Sequence, residues 1–226
     1  MTARTERWTG FRDQQRDDIA KAVIAAVSNA HGEPLNVTEV VEVAGISRKT
    51  FYKYFDTLSA ALVYTQGQVQ QQLTALATES AQDAPNGRER FLGMLSYFAT
   101  VGRQNPDLIR FVNYFDYTFR GEGLGSQSHD APHSQTYGAA EIAQAFRDGQ
   151  ADGSIGADLA FATNIVAAGN SIIGLTQRFQ VVGRPGDHEL NQASIDLLVD
   201  VWRKHLTPVP AAVNPTRRSK APTKRG

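Results

Sequence analysis

Apolar residues recur along most of the chain at intervals of three and four, the spacing that puts them on one face of an α-helix. The first series spans residues 19–30 and predicts an amphipathic helix that ends at His31-Gly32, where glycine suits the left-handed cap position. No stretch alternates apolar and polar residues for long enough to predict a β-sheet. The pattern therefore predicts an all-α protein of about nine helices.

Six longer helices are predicted after residue 57 by the same spacing, with turns at clusters of Gly, Pro and Asn. The helix at 158–182 is apolar on most sides, which predicts that it is buried almost all round. Three glycines predict a loop at 121–132, and a Pro-rich basic composition predicts a disordered tail at 207–226. The six helices are predicted at 58–80, 88–104, 105–119, 134–151, 158–182 and 187–205.

Two short helices joined by a tight turn are predicted between Asn36 and Phe55. Asn36 can cap the first of them while Glu39, three residues on, reaches back in a capping box. Gly45 breaks this helix, and Ser47 is the predicted N-cap of the next one. The stretch therefore has the layout of a helix-turn-helix.

The helix that follows Ser47 has an apolar edge, formed by Phe51 and Phe55, and a basic edge on its opposite side. In a helix-turn-helix the N-terminal part of the second helix reads base edges in the major groove, while hydroxyl groups and cations hold phosphates. A solvated basic face is the alternative, but the turn at 44–47 favours DNA binding. Base edges are assigned to Arg48, Lys49 and Thr50, and the DNA backbone to Thr38, Tyr52, Lys53 and Tyr54, with Ser47 at the helix start.

Residues 12–62 resemble the N-terminal domain of the TetR family of bacterial transcriptional regulators. The resemblance rests on the runs Val-Val-x-x-Ala-Gly-Ile-Ser at 40–47 and Thr-Phe-Tyr-x-Tyr-Phe at 50–55, with Leu62 in the following helix. It implies a three-helix DNA-binding domain at 1–57 and a larger ligand-binding and dimerisation domain at 58–206.

The chain departs from the family pattern at two places in this region. Lys49 stands where the family usually has glycine, and Thr57-Leu58 stands where it usually has Ser-Lys. Lys49 puts a side chain where backbone normally approaches the DNA, so we expect this protein's individual specificity to depend on it.

The net charge of zero hides an acidic body and a basic C-terminal segment, since residues 215–226 hold five basic side chains and no acidic one. The absence of cysteine excludes disulfides and thiolate chemistry. No signal peptide is indicated, and no apolar run reaches the roughly 18 residues that a membrane helix needs. We therefore expect a cytoplasmic protein with no membrane partner.

The resemblance implies that helices eight and nine of two subunits pack as a four-helix bundle. The sequence supports this independently, because the ninth helix carries an apolar stripe and the eighth has more apolar surface than one neighbour could cover. Gly169 and Gly174 allow close helix approach. We expect a homodimer that binds a palindromic, double-stranded DNA operator, and an internal core is the alternative.

The resemblance also implies an effector pocket among helices four to eight. Aromatic residues there suit a small, largely apolar effector, although they are also typical of a plain core. The amides of Asn164, Asn170 and Gln177 lie on an otherwise apolar helix and need partners from a ligand, a water or the second subunit. The predicted effector residues are Phe91, Phe98, Phe111, Tyr114, Phe115, Tyr137 and Asn170.

Candidate chemistry elsewhere in the chain is sparse. His129 and His133 lie in a glycine-rich loop, which does not favour a metal site, and the glycines at 121–125 follow a helix instead of a strand, which does not favour a nucleotide loop. We predict no catalytic residue, metal or cofactor. The sequence favours a ligand-responsive repressor over its two alternatives, an all-helical enzyme and a protein-interaction module with a vestigial helix-turn-helix.

Overall fold

The computed structural model of the chain describes residues 3–30, 33–119, 139–182 and 187–208. Within these ranges the chain forms nine α-helices and no β-strand, which confirms the predicted fold class. The helices are α1 (Ala3–Asn29), α2 (Val37–Ala44), α3 (Arg48–Tyr54), α4 (Leu58–Ser80), α5 (Gly87–Gln104), α6 (Pro106–Thr118), α7 (Ala139–Ala151), α8 (Phe161–Val182) and α9 (His188–Leu206).

Several predicted segments lie outside the described residues. These are the loop at 121–132 with His129, the neighbouring His133, the first residues of the predicted seventh helix, the helix end predicted at His31-Gly32, and the tail beyond residue 208. The other helix boundaries follow the sequence pattern closely, and α4 begins and ends at the predicted residues. The α1 helix begins well before its apolar series, at Ala3.

The caps of α2 and α3 form as predicted. The Asn36 side chain accepts from the backbone N–H groups of Thr38 and Glu39, and the Glu39 carboxylate accepts from the Asn36 N–H at 2.9 Å. Gly45 has a φ of 63°, the left-handed conformation that ends α2 at low steric cost. Ser47 Oγ accepts from the Thr50 N–H at 3.1 Å. Helices of seven and eight residues are marginal alone, so these caps fix where each begins.

The first three helices share one hydrophobic core with the rest of the chain. Phe51 and Val40 are completely buried, and they pack in the same cluster as Val23 of α1. The α1 helix packs against α2, α4 and α6, so it joins the helix-turn-helix to the larger helical body. The position of α3 is therefore set by contacts that extend into that body.

The junction of α1 and α4 contains a tyrosine in an unusual environment. The Arg16 guanidinium lies 4.3 Å from the centre of the Tyr64 ring, and the Tyr64 hydroxyl donates to Asp17 Oδ1 at 2.7 Å. Burial, followed by this hydrogen bond and the negative charge of Asp17, raises the pKa of Tyr64 to about 12. The phenol is thus held in its neutral form.

The α5 helix begins in close contact with α7 and with the loop that follows it. A side chain at Gly87 would place its Cβ only 2.0 Å from the backbone nitrogen of Gly149. The Gly87 and Arg88 N–H groups donate to Asp152 Oδ2 and Ser154 Oγ at 2.7 and 3.0 Å. Glycine is thus required for this approach, and the loop caps the helix.

The α8 and α9 helices pack against each other through two polar contacts. Trp202 Nε1 donates to Ser171 Oγ at 2.9 Å, and His205 Nε2 lies 2.7 Å from Asn164 Oδ1. Because Asn164 Nδ2 donates to the carbonyl of Ala160, its oxygen faces the imidazole and His205 donates. Asn164 was predicted to bond a ligand, a water or the second subunit, but its partners are Ala160 and His205 of the same chain.

The outer face of α8 and α9 remains exposed, although much of it is apolar. Val166, Leu190, Leu197 and Val201 are each more than half exposed to solvent. The prediction that α8 is buried almost all round is wrong for the single chain, because one side of it faces solvent. No helix in the described ranges has the length and apolar character needed to span a bilayer.

Candidate DNA interface and effector cavity

The outer surface of α3 is basic and accessible. Arg48, Lys49, Tyr52 and Lys53 are exposed, whereas Phe51 on the opposite side is fully buried. In the described part of the chain neither Arg48 nor Lys49 pairs with a carboxylate, and α3 itself contains no acidic residue. The helix is anchored by its aromatic edge and presents unpaired cations to solvent.

The start of α3 is fixed by side-chain hydrogen bonds. Ser47 Oγ and Thr50 Oγ1 lie 2.9 Å apart, in addition to the bond from the Thr50 N–H to Ser47. The Thr50 hydroxyl is thus engaged within the helix start, and the side chain is half-buried. The Lys49 side chain makes no such hydrogen bond within the described residues and is exposed, so it can change rotamer to reach a binding partner.

The remaining predicted DNA contacts surround α3. Thr38 is exposed in the first turn of α2, where Asn36 caps the helix. Tyr54 is half-buried, and Lys53 Nζ lies 5.4 Å from the centre of its ring. Thr57 caps α4 by accepting from the Ala60 N–H at 3.0 Å. All eight predicted residues thus lie on the α2–α3 unit or in its turn, and each is exposed or half-buried.

A cavity of apolar character lies between α4, α5, α6 and α8. The space open to the centre of a water-sized sphere is about 20 Å³, and the empty space reaches about 320 Å³ when the solvent in its open mouth is included. Its two polar lining residues are engaged, because Thr176 Oγ1 donates to the carbonyl of Ile172 and Gln177 Nε2 donates to Asp116 Oδ2. The lining residues are Leu73, Phe98, Ile109, Val112, Ile173, Thr176 and Gln177.

Phe98 is the predicted effector residue that lines this cavity. The other predicted phenylalanines are buried in the hydrophobic core, where Phe91 packs edge-on against Phe146 and Phe111 packs against Phe115. Phe91, Phe111 and Phe115 are therefore core residues, which is the alternative that the sequence left open.

The polar members of the predicted effector set have different surroundings. The Tyr114 hydroxyl accepts a hydrogen bond from the Leu35 N–H at 3.0 Å, so it contacts the segment that leads into α2. Asn170 is exposed on the same helix as Val166, on the outer surface of α8. Tyr137 lies outside the described residues. Neither Tyr114 nor Asn170 lines the cavity.

Sequence reasoning missed most of the cavity wall. Ile109, Val112 and Ile173 are aliphatic residues at helical spacing, a pattern that a plain core produces equally well. Gln177 gave a usable signal, since an amide on an otherwise apolar helix needs a partner. Across the described ranges, no group of three or more His, Cys, Asp or Glu residues could hold a metal ion.

The chain shares its fold with solved structures of transcription regulators, several of them of the TetR family. One, from Marinobacter aquaeolei, has a TM-score of 0.60 at 20% identity over 83% of this chain and 95% of its own. FadR from Bacillus subtilis, in complex with stearoyl-CoA, has a TM-score of 0.62 at 14% identity over 83% and 97%. A third, solved in work on control of antibiotic production by a bacterial hormone, has a TM-score of 0.65 at 16% identity over 86% and 98%.

No protein-family model matches the sequence, and no curated protein matches it either. At identities of 20% and below, the structural likeness concerns the fold.

Proposed function

We propose that the protein is a homodimeric transcriptional regulator, a repressor that releases its DNA operator when an effector binds. The observation that carries the proposal is α3, whose exposed cations stand on a helix fixed by buried Phe51 and by the Ser47 cap. The shared fold of TetR family regulators supports it. The helix-turn-helix occupies residues 1–57 and the effector and dimerisation domain residues 58–206.

In the proposed complex, α3 enters the major groove and its N-terminal residues meet the base edges. Arg48 and Lys49 donate to guanine O6 and N7. Thr50, whose hydroxyl is engaged by Ser47, offers its methyl group to a thymine methyl. The DNA backbone contacts fall to Thr38, Tyr52, Lys53 and Tyr54, which fix register without reading sequence.

The exposed apolar face of α8 and α9 supports the proposed dimer. Contiguous exposed apolar surface is typical of interaction sites, and a two-fold axis through this face buries the same residues on both subunits. Val166, Leu190, Leu197 and Val201 are its exposed large apolar side chains. Such a dimer presents two α3 helices to a palindromic operator.

The apolar cavity supports a small, largely apolar effector. Because its polar lining groups are already bonded, an occupant gains mainly from burying apolar surface. Binding favours a conformation in which the two α3 helices no longer match major grooves about 34 Å apart. The protein acts by binding, without catalysis, and works in the cytoplasm where the chromosome is accessible.

The test is a band-shift titration on the DNA upstream of the protein's own gene. We expect a salt-sensitive, sequence-preferring complex, which Lys49→Ala weakens by about 5- to 100-fold, the loss expected for one base contact. Lys21→Ala is the matched control, because it removes an exposed lysine from α1 and leaves α3 intact. The proposal fails if no such complex forms, or if both variants bind like the wild type.

A further inference from the structure

The α6 helix lies between the cavity and the helix-turn-helix. Ile109 and Val112 line the cavity, whereas Asp107 and Tyr114 bond to the segment around the end of α1 and the start of α2. At 100° per residue, the mean directions of these two pairs differ by about 180°. One rigid helix therefore contacts the cavity on one side and the DNA-binding domain on the other.

The bond made by Tyr114 reaches the backbone directly in front of α2. Its hydroxyl accepts from the Leu35 N–H at 3.0 Å, and the Leu35 side chain is buried. Leu35 immediately precedes Asn36, the residue that caps α2. Because α2, its turn and α3 form one capped unit, displacement of the Leu35 backbone changes where α3 is presented.

A second bond joins the same helix to α1 but is more exposed. Ser28 Oγ donates to Asp107 Oδ1 at 2.9 Å, and Asp107 also pairs with the solvent-exposed Arg110. If this bond is lost, water and Arg110 still satisfy the Asp107 carboxylate, so the cost in free energy is small. The Tyr114 bond is part-buried and ends on a backbone amide, so its loss is harder to compensate.

We propose that Tyr114 is the positioning residue that couples the cavity to the recognition helix. An occupant that pushes on Ile109 and Val112 displaces α6 as a body, and the Tyr114 hydroxyl moves with it. The Leu35 amide then follows the hydroxyl or loses its acceptor, and either result shifts α2 and α3. This inference rests on the proposed function, since it explains how an effector lowers operator affinity.

The first test measures amide hydrogen exchange at Leu35 in the full chain, with no DNA or effector required. Ile173→Phe builds a ring into the cavity from α8 and serves as a fixed occupant. We expect it to speed exchange at Leu35 when Tyr114 is present. In Tyr114→Phe, exchange is already fast and the added ring changes it little. Circular dichroism confirms that each variant is folded.

The second test is a double-mutant cycle on a DNA duplex that the wild type selects from a random pool. Ile173→Phe is expected to weaken binding about 10-fold in the wild type, within the usual range of coupling between sites. In Tyr114→Phe the same ring is expected to cost less than about 2-fold. Tyr117→Phe, the same chemical change at an exposed position on α6, is expected to keep the 10-fold effect.

A structural bond with no coupling role gives a different pattern. In that case Tyr114→Phe lowers stability while Ile173→Phe weakens DNA binding equally with and without the hydroxyl, which overturns the inference. Unchanged affinity and unchanged Leu35 exchange on adding the ring to the wild type also overturn it. If the wild type selects no duplex, the proposed function fails, and the exchange experiment alone decides whether the cavity acts on α2.

Discussion

Lys49 and Ser47 show how single side chains define the proposed DNA interface. Ser47 fixes the first turn of α3 by capping it, and Lys49 extends from that turn with no carboxylate partner among the described residues. Tyr64 has a comparable role, because it bonds to Asp17 and packs its ring against Phe55 at the end of α3. Individual side-chain contacts thus fix both ends of α3, Ser47 at its start and Tyr64 at its end.

Tyr64 gives a prediction about alkaline pH. Its pKa is raised from 10.0 to about 12, so the neutral phenol stabilises the fold fully below pH 10. That contribution is lost as the pH rises from 10 towards 12. Absorbance titration should show one tyrosine ionising near pH 12, and Tyr64→Phe should remove that step. A step that persists in the variant contradicts the assignment.

The capped helices were the elements best predicted from the sequence. Asn36, Gly45 and Ser47 act on their own neighbours in the chain, so local chemistry sufficed to place α2 and α3. The cavity was not predictable, because Val112 and Ile173 have the pattern of core residues and only packing leaves a space between them. The contact of Tyr114 was not predictable for a related reason, since its partner Leu35 lies 79 residues earlier.

The approach of α5 to α7 gives a prediction about stability. Gly87→Ala places a methyl group against the Gly149 backbone, which cannot rotate away, and should lower the free energy of unfolding by about 1–3 kcal/mol. Gly67→Ala is the control, because its Cβ meets nothing within 4 Å and alanine favours a helix by about 0.5–1 kcal/mol. Urea unfolding measures both. Equal stability of the two variants contradicts this packing.

At the scale of the whole molecule, a single hydrophobic core joins the helix-turn-helix to the body, while the α8–α9 surface stays exposed. A shared core lets a change at the cavity move α3 without an intervening linker. The exposed surface supplies the proposed two-fold contact that sets the distance between two α3 helices. The apolar excess of the eighth and ninth helices was predictable from the helical pattern, but the shared core was not, because it depends on which helices meet.

The dimer surface gives a prediction about assembly. Leu197→Glu places a charge in the proposed contact and should convert the dimer to a monomer, because burying an unpaired carboxylate is costly. Sedimentation equilibrium measures the mass directly. Phe11→Glu, which changes an exposed aromatic residue on α1, should leave the dimer intact. A wild type that sediments as a monomer, or a Leu197→Glu dimer, contradicts the proposed surface.

The central claim is that two copies of α3 read DNA together, and selection of duplexes from a random pool by the full chain tests it most directly. The claim predicts enrichment of an inverted repeat whose half-site centres lie about 34 Å apart, one helical turn. Selection with the Lys49→Ala variant should enrich a repeat that differs from the wild-type repeat at the base pairs nearest residue 49. A pool that stays random after repeated rounds, or that yields the same sites with Lys49→Ala as with the wild type, contradicts it.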